Sequence, residues 1–344
     1  SFNMFEKVDK NLRKKFEISL TPKNFYEELV ISIIKNYIPI SFLESFNNIN
    51  NEINKSWPKK PKAIFTSHCL TQKTNYSLYT ALKLEEGTKL IHGQHGGVYG
   101  QLKKKWDEEH EKKISNIYLN WGWESKKDSI PVGILKPTKE LLKIRNTKKK
   151  KTKLLLIPRT QPLYSNEFLD TRFRSGEMKY HLSNNFNFIE NLDKNIINNL
   201  IIRLHAKKYG WNEKKYFETR FNKINIDNGE KKIKDLILIS KLCVFSYNAT
   251  GYLETLSANI PTIIFWNKNE NILRDDAEDS IKSLKEVKIF FDNYLDAANH
   301  INEYWNNIYE WWEDNNLQKI KNEFCFKYAR DNPNKLDILK RLII

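Results

Sequence analysis

Short apolar runs separated by helical or polar stretches recur along most of the chain, and they fall into two series. The first contains Ala63–Phe65, Lys89–Ile91, Ile117–Leu119 and Pro131–Ile134; the second contains Lys153–Ile157, Leu200–Leu204, Ile224–Ile226, Leu242–Phe245, Thr262–Phe265 and Val287–Phe290. Runs of this length, rich in Leu, Ile and Val, predict strands buried on both faces. Their alternation with helical stretches predicts parallel sheets with right-handed crossovers. Ahead of them Phe25, Leu29, Ile33 and Ile34 recur at helical spacing, so residues up to about Trp57 read as helices until Pro58-Lys-Lys-Pro61 breaks the pattern. Between the series, the polar, lysine-rich Asn146–Thr152 is the best linker. The expected fold is α/β, with an N-terminal domain at 1–146 that starts in helices, a second domain at 147–325, and a C-terminal helix at 326–344. Periodicity alone leaves open how the two Rossmann-like halves pair, a periplasmic-binding-like pair included.

The segment Leu242–Phe265 reads as strand, small polar turn, helix, strand. Leu253, Leu256 and Ile260 carry the helical spacing, which puts Asn248, Thr250 and Gly251 at the helix start. Free backbone N–H groups and the positive end of the helix dipole favour an anion there, and Thr250 adds a hydroxyl. The alternative is that Asn248 only caps the helix. A second strand, Asn199–Leu204, ends in the polar cluster His205-Ala-Lys-Lys-Tyr-Gly210. Ligands of parallel α/β sheets bind outside the carboxyl ends of the strands, where His205 and Asn248 would both lie.

These elements together resemble bacterial glycosyltransferases that use CMP-activated Kdo or sialic acid, among them capsule and lipopolysaccharide enzymes. In that family a His-Pro pair contacts the nucleotide and a pair of hydroxyl residues binds its phosphate. Here His205-Ala206 stands for the first and Asn248-Ala-Thr250 for the second, so Ala206 replaces the proline and Ala249 the first hydroxyl residue. His92-Gly-Gln-His-Gly-Gly97, Asn120-Trp-Gly-Trp123 and the aromatic region around Trp311-Trp312 also look like transferases encoded in bacterial surface-polysaccharide (O-antigen and capsule) loci. The resemblance spans roughly residues 62–336. It implies a GT-B-like fold, two Rossmann-like domains facing each other across a cleft. The second would bind the donor nucleotide and the first the acceptor, with the last helix packing back on the first domain.

A chain of 344 residues, 40% apolar and 13% aromatic, is long enough for two domains with substantial cores. Its net charge of +16 attracts anions, but much of it sits in lysine runs such as Lys148–Lys151 that read as solvated surface. With no zinc-finger spacing and no RNA-recognition signature, nucleic acid is not an expected partner. Three widely spaced cysteines, Cys69, Cys243 and Cys325, suggest neither a disulfide framework nor a metal cluster and fit a reducing cytoplasm. No apolar stretch has the length of a membrane span. The chain begins at Ser1 rather than Met, so a preceding segment is to be expected from a trimmed sequence.

Transfer of an activated sugar needs a base for the acceptor proton and charge compensation on the leaving phosphate. For the phosphate the candidates are Asn248, Thr250 and Gly251, with His205 and either Arg203 or Lys207. Arg159, just past the first strand of the second domain, is placed to reach the phosphate or a sugar carboxylate, its alternative being a surface ion pair. The resemblance assigns Glu254 to the ribose hydroxyls; otherwise it is an exposed helix residue. For the base, His92 and His95 follow a strand in a glycine-rich turn, and an imidazole accepts a proton near neutral pH. Their alternative is bonding to nearby backbone. Asp107 offers a carboxylate, within a cluster Asp107-Glu-Glu-His110 that also reads as a solvated helix start. His68 ends another strand. No carboxylate or cysteine completes a metal site around His92 and His95, so no metal or cofactor is expected.

The function expected is a glycosyltransferase of bacterial surface-polysaccharide biosynthesis, metal-independent, with a CMP-activated Kdo-like or nonulosonic acid as donor and a glycan or lipid-linked glycan as acceptor. It would be cytoplasmic, and lipid-linked acceptors together with positive charge favour peripheral contact with the inner face of the inner membrane. The alternatives are a UDP-sugar or CDP-glycerol transferase, a sugar-nucleotide epimerase, and a non-catalytic glycan- or polyanion-binding protein.

Overall fold

The computed structural model describes residues 7–123, 129–136, 139–145, 147, 151–164, 175–267 and 270–343. Within it the chain divides into two compact units, residues 1–92 with 343–344, and residues 93–342. The linker expected at 146–152 falls partly outside the described residues.

The first unit opens with helices, among them Phe25–Tyr37 and Phe46–Ser56. The first is started by Asn24, whose side chain accepts from Glu27 N–H, and the second buries Ile49 and Ile53. Strand β1 (Ala63–Thr66) then pairs in parallel with β2 (Lys89–Gly93), the crossover being the helix Thr74–Glu85. At the start of the second unit, β3 (Ile117–Asn120) pairs in parallel with β4 (Ile130–Pro131).

The larger sheet contains β5 (Lys153–Ile157), β6 (Leu200–Arg203), β7 (Asn225–Asp227), β8 (Ser240–Phe245), β9 (Thr262–Phe265) and β10 (Phe290–Phe291). Every pairing in it is parallel and the order is β10-β9-β8-β5-β6-β7. Counted from β5 this is 3-2-1-4-5-6, the order of the dinucleotide-binding fold, which reverses direction between β5 and β8. Leu154, Leu155 and Leu156 of the central strand are wholly buried, as strands covered on both faces must be.

All ten predicted strands are present; β5 and β9 keep their predicted bounds, six others shift by one or two residues, and the two shortest depart furthest. Pro131–Ile134 contributes only its first residue to β4, because Ile134 N–H is taken by the carbonyl of Arg330. Val287 and Lys288 leave β10 because they close the helix Asp275–Glu286. Lys288 adopts a left-handed φ of 62° and Ile289 N–H returns to Leu284 O, the 6→1 bond of a left-handed helix stop. Asn259 (φ 54°) ends the helix Thr250–Ser257 in the same way, with Ile260 N–H donating to Thr255 O.

The C-terminal aromatics are core residues: Trp305, Trp311, Trp312 and Tyr328 are buried, with Trp312 Nε1 donating to Asn259 Oδ1 at 3.1 Å. The helix Asn315–Tyr328 packs on the helices Thr250–Ser257 and Asp275–Glu286. The chain beyond it returns to the segment after β3, where Arg330 N–H donates to Trp121 O at 3.0 Å and Lys335 Nζ to Ile134 O at 2.7 Å. No helix of the described residues is long and apolar enough to cross a membrane.

Candidate active site

In the larger sheet the order reverses at β5 and β8, so the crevice that parallel sheets offer to ligands lies beyond Ile157 and Phe245. Beyond Phe245 the chain makes the turn Ser246–Ala249 and enters the helix Thr250–Ser257. The helix has no side-chain cap: Ala249 holds the cap position, and the Asn248 side chain instead accepts from Tyr252 Oη at 3.0 Å. This decides against Asn248 as a simple cap. Asn248 is buried and its Nδ2 has no partner among the described residues; Ser246 Oγ, also buried, has none. Buried polar groups in a folded interior are ordinarily hydrogen-bonded, so these two leave the turn open to a polar partner, water or ligand.

Gly251 is fixed by packing, since a Cβ there would stand 2.5 Å from Cε1 of Phe245. Thr250 Oγ1 accepts from Gly97 N–H at 2.8 Å. The glycine-rich turn after β2 and the helix start after β8 are therefore one structure, which spacing in sequence could not reveal. Gly97 is required for this approach: a Cβ on it would lie 2.5 Å from Ala249 O and 2.8 Å from Thr250 N. A Gly97→Ala variant is expected to lose about 1–3 kcal/mol, the range for forcing atoms into a packed site, measurable by urea unfolding.

His95 sits in this turn with its side chain 27% exposed, and its Nδ1 lies 2.9 Å from Tyr99 Oη. His92 is buried in β2 and is not at the turn's surface. Gln94 organises the turn from below: its Nε2 donates to Gly96 O, and its Oε1 accepts from Trp121 N–H and Trp123 Nε1–H. The acidic cluster on the helix Trp106–Ile114 is only partly solvated. Glu109 and His110 are exposed, but Glu108 is buried and accepts from Gly100 N–H (2.9 Å), Lys112 (3.0 Å) and Arg274 (2.7 Å). Asp107 pairs with Lys105 and accepts from Tyr99 Oη at 3.3 Å. Glu111, one turn on, is buried beneath Tyr99 and Tyr118.

The remaining donor-side candidates divide. His205 and Lys207 are exposed beyond β6, Lys207 N–H donating to His205 Nδ1 at 3.1 Å. Arg203 forms a 2.5 Å ion pair with Asp227 at the end of β7, so its charge braces two strands. Glu254 pairs with Lys136 at 2.9 Å. Arg159 follows β5, and its N–H donates to Nε2 of His181 at 3.0 Å. Burial, and then the Arg159 charge, pushes His181 down to about 3, so it is a neutral acceptor that fixes the turn after β5. His68 is exposed and bonded to Gln72 in the first unit.

A cavity of about 370 Å³, counted with its open mouth, adjoins the turn beyond β8. Ser246, His181, Asn267, Glu270, Asp292 and Tyr294 are among its lining residues. Burial raises the Glu270 carboxyl, while the Asn267 N–H and Arg159 act to lower it. None of these cavity residues was singled out by the sequence. Asn267 and Asp292 follow β9 and β10, and a rule that reads every strand's carboxyl end, rather than those with motifs, would have found them.

The family model of the LIC12162 family transferase matches residues 2–343. No curated protein matches the chain in sequence. Among solved structures it is similar to the wall teichoic acid polymerase TagF (12% identity, 86% of this chain and 84% of that one, TM-score 0.42). It is similar also to Acinetobacter baumannii MurG (9%, 89% and 79%, 0.46). A third likeness is to the spinosyn rhamnosyltransferase SpnG (7%, 87% and 77%, 0.44).

Proposed function

The chain belongs to the LIC12162 family of transferases, and on that premise we propose that it is a glycosyltransferase drawing on a nucleotide-activated sugar. The observation that carries this reading is the bond from Gly97 N–H to Thr250 Oγ1, which joins the His95 turn to an uncapped helix start at the sheet's switch point. A nucleotide phosphate suits that helix start, where its charge meets free N–H groups, the Thr250 hydroxyl and the unpartnered Asn248 Nδ2. In the reaction the acceptor oxygen bonds to the anomeric carbon as the bond from that carbon to the phosphate oxygen breaks. The phosphate keeps the electron pair, and the acceptor's proton passes to His95.

His205 and Lys207, exposed beyond β6, complete the donor side, with Arg159 beyond β5. We assign the donor as a CMP-activated Kdo-like or nonulosonic acid and the acceptor as a glycan of surface-polysaccharide assembly. That assignment rests on the resemblance carried by His205 and Asn248–Thr250.

Calorimetry with CMP, CDP, UMP and UDP, each with and without magnesium, tests the reading. CMP is expected to bind best, without metal, and about tenfold or more weakly to Thr250→Val, which removes a hydroxyl bonded to a charged group worth roughly 1.5–3 kcal/mol. A preference for UDP or CDP would keep the phosphate site and replace the donor. Binding of none of the four would overturn the reading.

A further inference from the structure

Tyr99 Oη has one proton and three acceptors around it: His95 Nδ1 at 2.9 Å, Glu111 Oε1 at 3.1 Å and Asp107 Oδ2 at 3.3 Å. Asp107 is already paired with Lys105, whose ammonium also lies 4.2 Å from the centre of the Tyr99 ring. Glu111 is buried, and Tyr118 Oη donates to its other oxygen at 3.3 Å. A phenol donates most strongly to a buried carboxylate. With its proton directed to Glu111, the Tyr99 oxygen becomes an acceptor, and the group placed to donate to it is Nδ1–H of His95.

We propose that Glu111, acting through Tyr99, is a positioning residue that holds His95 in its Nδ1–H tautomer and raises its basicity, leaving the lone pair on Nε2 to take the acceptor's proton. The ring orientation agrees, since His95 and Tyr99 meet edge-on at 75° with centroids 5.1 Å apart. The carboxylate does a second thing: Glu111 Oε1 is 3.9 Å from Nδ1, close enough to favour the imidazolium formed when Nε2 takes the proton. The other charged groups facing this pair from the same helix are Asp107, offset by Lys105, and Glu108, offset by Lys112 and Arg274.

The inference rests on the transferase reading for its role and on the structure alone for its coupling, so the two are tested apart. The coupling is measured by nitrogen-15 NMR of histidine in the full chain. There are seven histidines, and the His95 signal is the one lost in His95→Asn. Expected are the Nδ1–H tautomer in the parent, the Nε2–H tautomer in Tyr99→Phe, and a titration midpoint lower by roughly one unit or more in Glu111→Gln. The same tautomer and midpoint in all three folded proteins, or Nε2–H in the parent, would overturn the coupling. Should Glu111→Gln not fold, Tyr99→Phe decides, since it keeps the ring.

The role is read from kcat/KM against pH. A base must be unprotonated to act, so activity rises through its midpoint, and Glu111→Gln, by lowering that midpoint, moves the rising limb to lower pH while reducing the plateau. An NMR shift with no matching move of the limb would leave the coupling standing and overturn His95 as base.

Discussion

His95→Asn is expected to lower kcat by about 10²–10⁴-fold with donor and acceptor saturating, while nucleotide affinity stays within twofold. The factor is the usual contribution of a positioned general base. The split between turnover and affinity follows from the site's division of labour. The phosphate contacts belong to the helix start at Thr250, and His95 contributes its Nδ1 bond to Tyr99 rather than to that helix. Asparagine is the informative replacement: its side-chain amide has a donor to offer Tyr99, yet it takes no proton near neutral pH. Single-turnover assays on the nucleotide-sugar selected by calorimetry measure the effect. Retention of more than a tenth of parent kcat would remove His95 from the chemistry and turn attention to Asp107, the carboxylate that also accepts from Tyr99 and is less buried than Glu111.

The strands were legible because most carry a run of apolar residues that no solvated segment would keep, β7 with its single Ile226 being the weakest. What the pattern did not contain was their order. The 3-2-1-4-5-6 arrangement depends on which crossovers pass which face, and nothing local to Leu156 or Val244 encodes that they become neighbours. Ties between segments distant in sequence are a similar case. Bonds from Arg330 and Lys335 hold the C-terminal segment to residues 121–136. Each ends on a backbone carbonyl, and the Arg330 N–H that starts one of them is itself backbone, so residue type hardly marks them.

At the site, motif residues were visible where chemistry demands a residue type, as at His95, Thr250 and Gly251. Roles were less visible. Arg203 looked like a phosphate ligand because cations do, and only the fold shows Asp227 opposite it. Glu111 passed unnoticed because a glutamate on a charged helix ordinarily faces water; its burial depends on Tyr99 and Tyr118 arriving from other segments. Gln94, lying between two histidines, drew no attention since amide side chains seldom do chemistry.

Gln94→Met carries the largest stability cost we expect. The side chain is 1% exposed and makes three bonds: Nε2–H to Gly96 O at 2.8 Å, and acceptance by Oε1 from Trp121 N–H and Trp123 Nε1–H, both at 3.0 Å. Methionine has nearly the same length and volume, so packing is kept and the three partners are left buried without a bond. Each orphaned group costs roughly 1–3 kcal/mol. The three share one network, so the single costs are not summed; about 3 kcal/mol is the expected loss. For a unit of this size, each kcal/mol lowers Tm by roughly 2–4 °C, which puts the expected loss at about 6 °C or more. Activity should fall further than stability explains. Gln94 Nε2 shapes Gly96, the neighbour of both His95 and Gly97, and a turn freed there would loosen the Gly97 bond to Thr250 and with it the approach of base to phosphate. Thermal unfolding followed by tryptophan fluorescence, with nucleotide calorimetry on the folded fraction, separates the two effects. A variant with parent Tm would mean that these tryptophan donors find other acceptors and that the turn is held from elsewhere, by Thr250 on Gly97 N–H and Glu108 on Gly100 N–H.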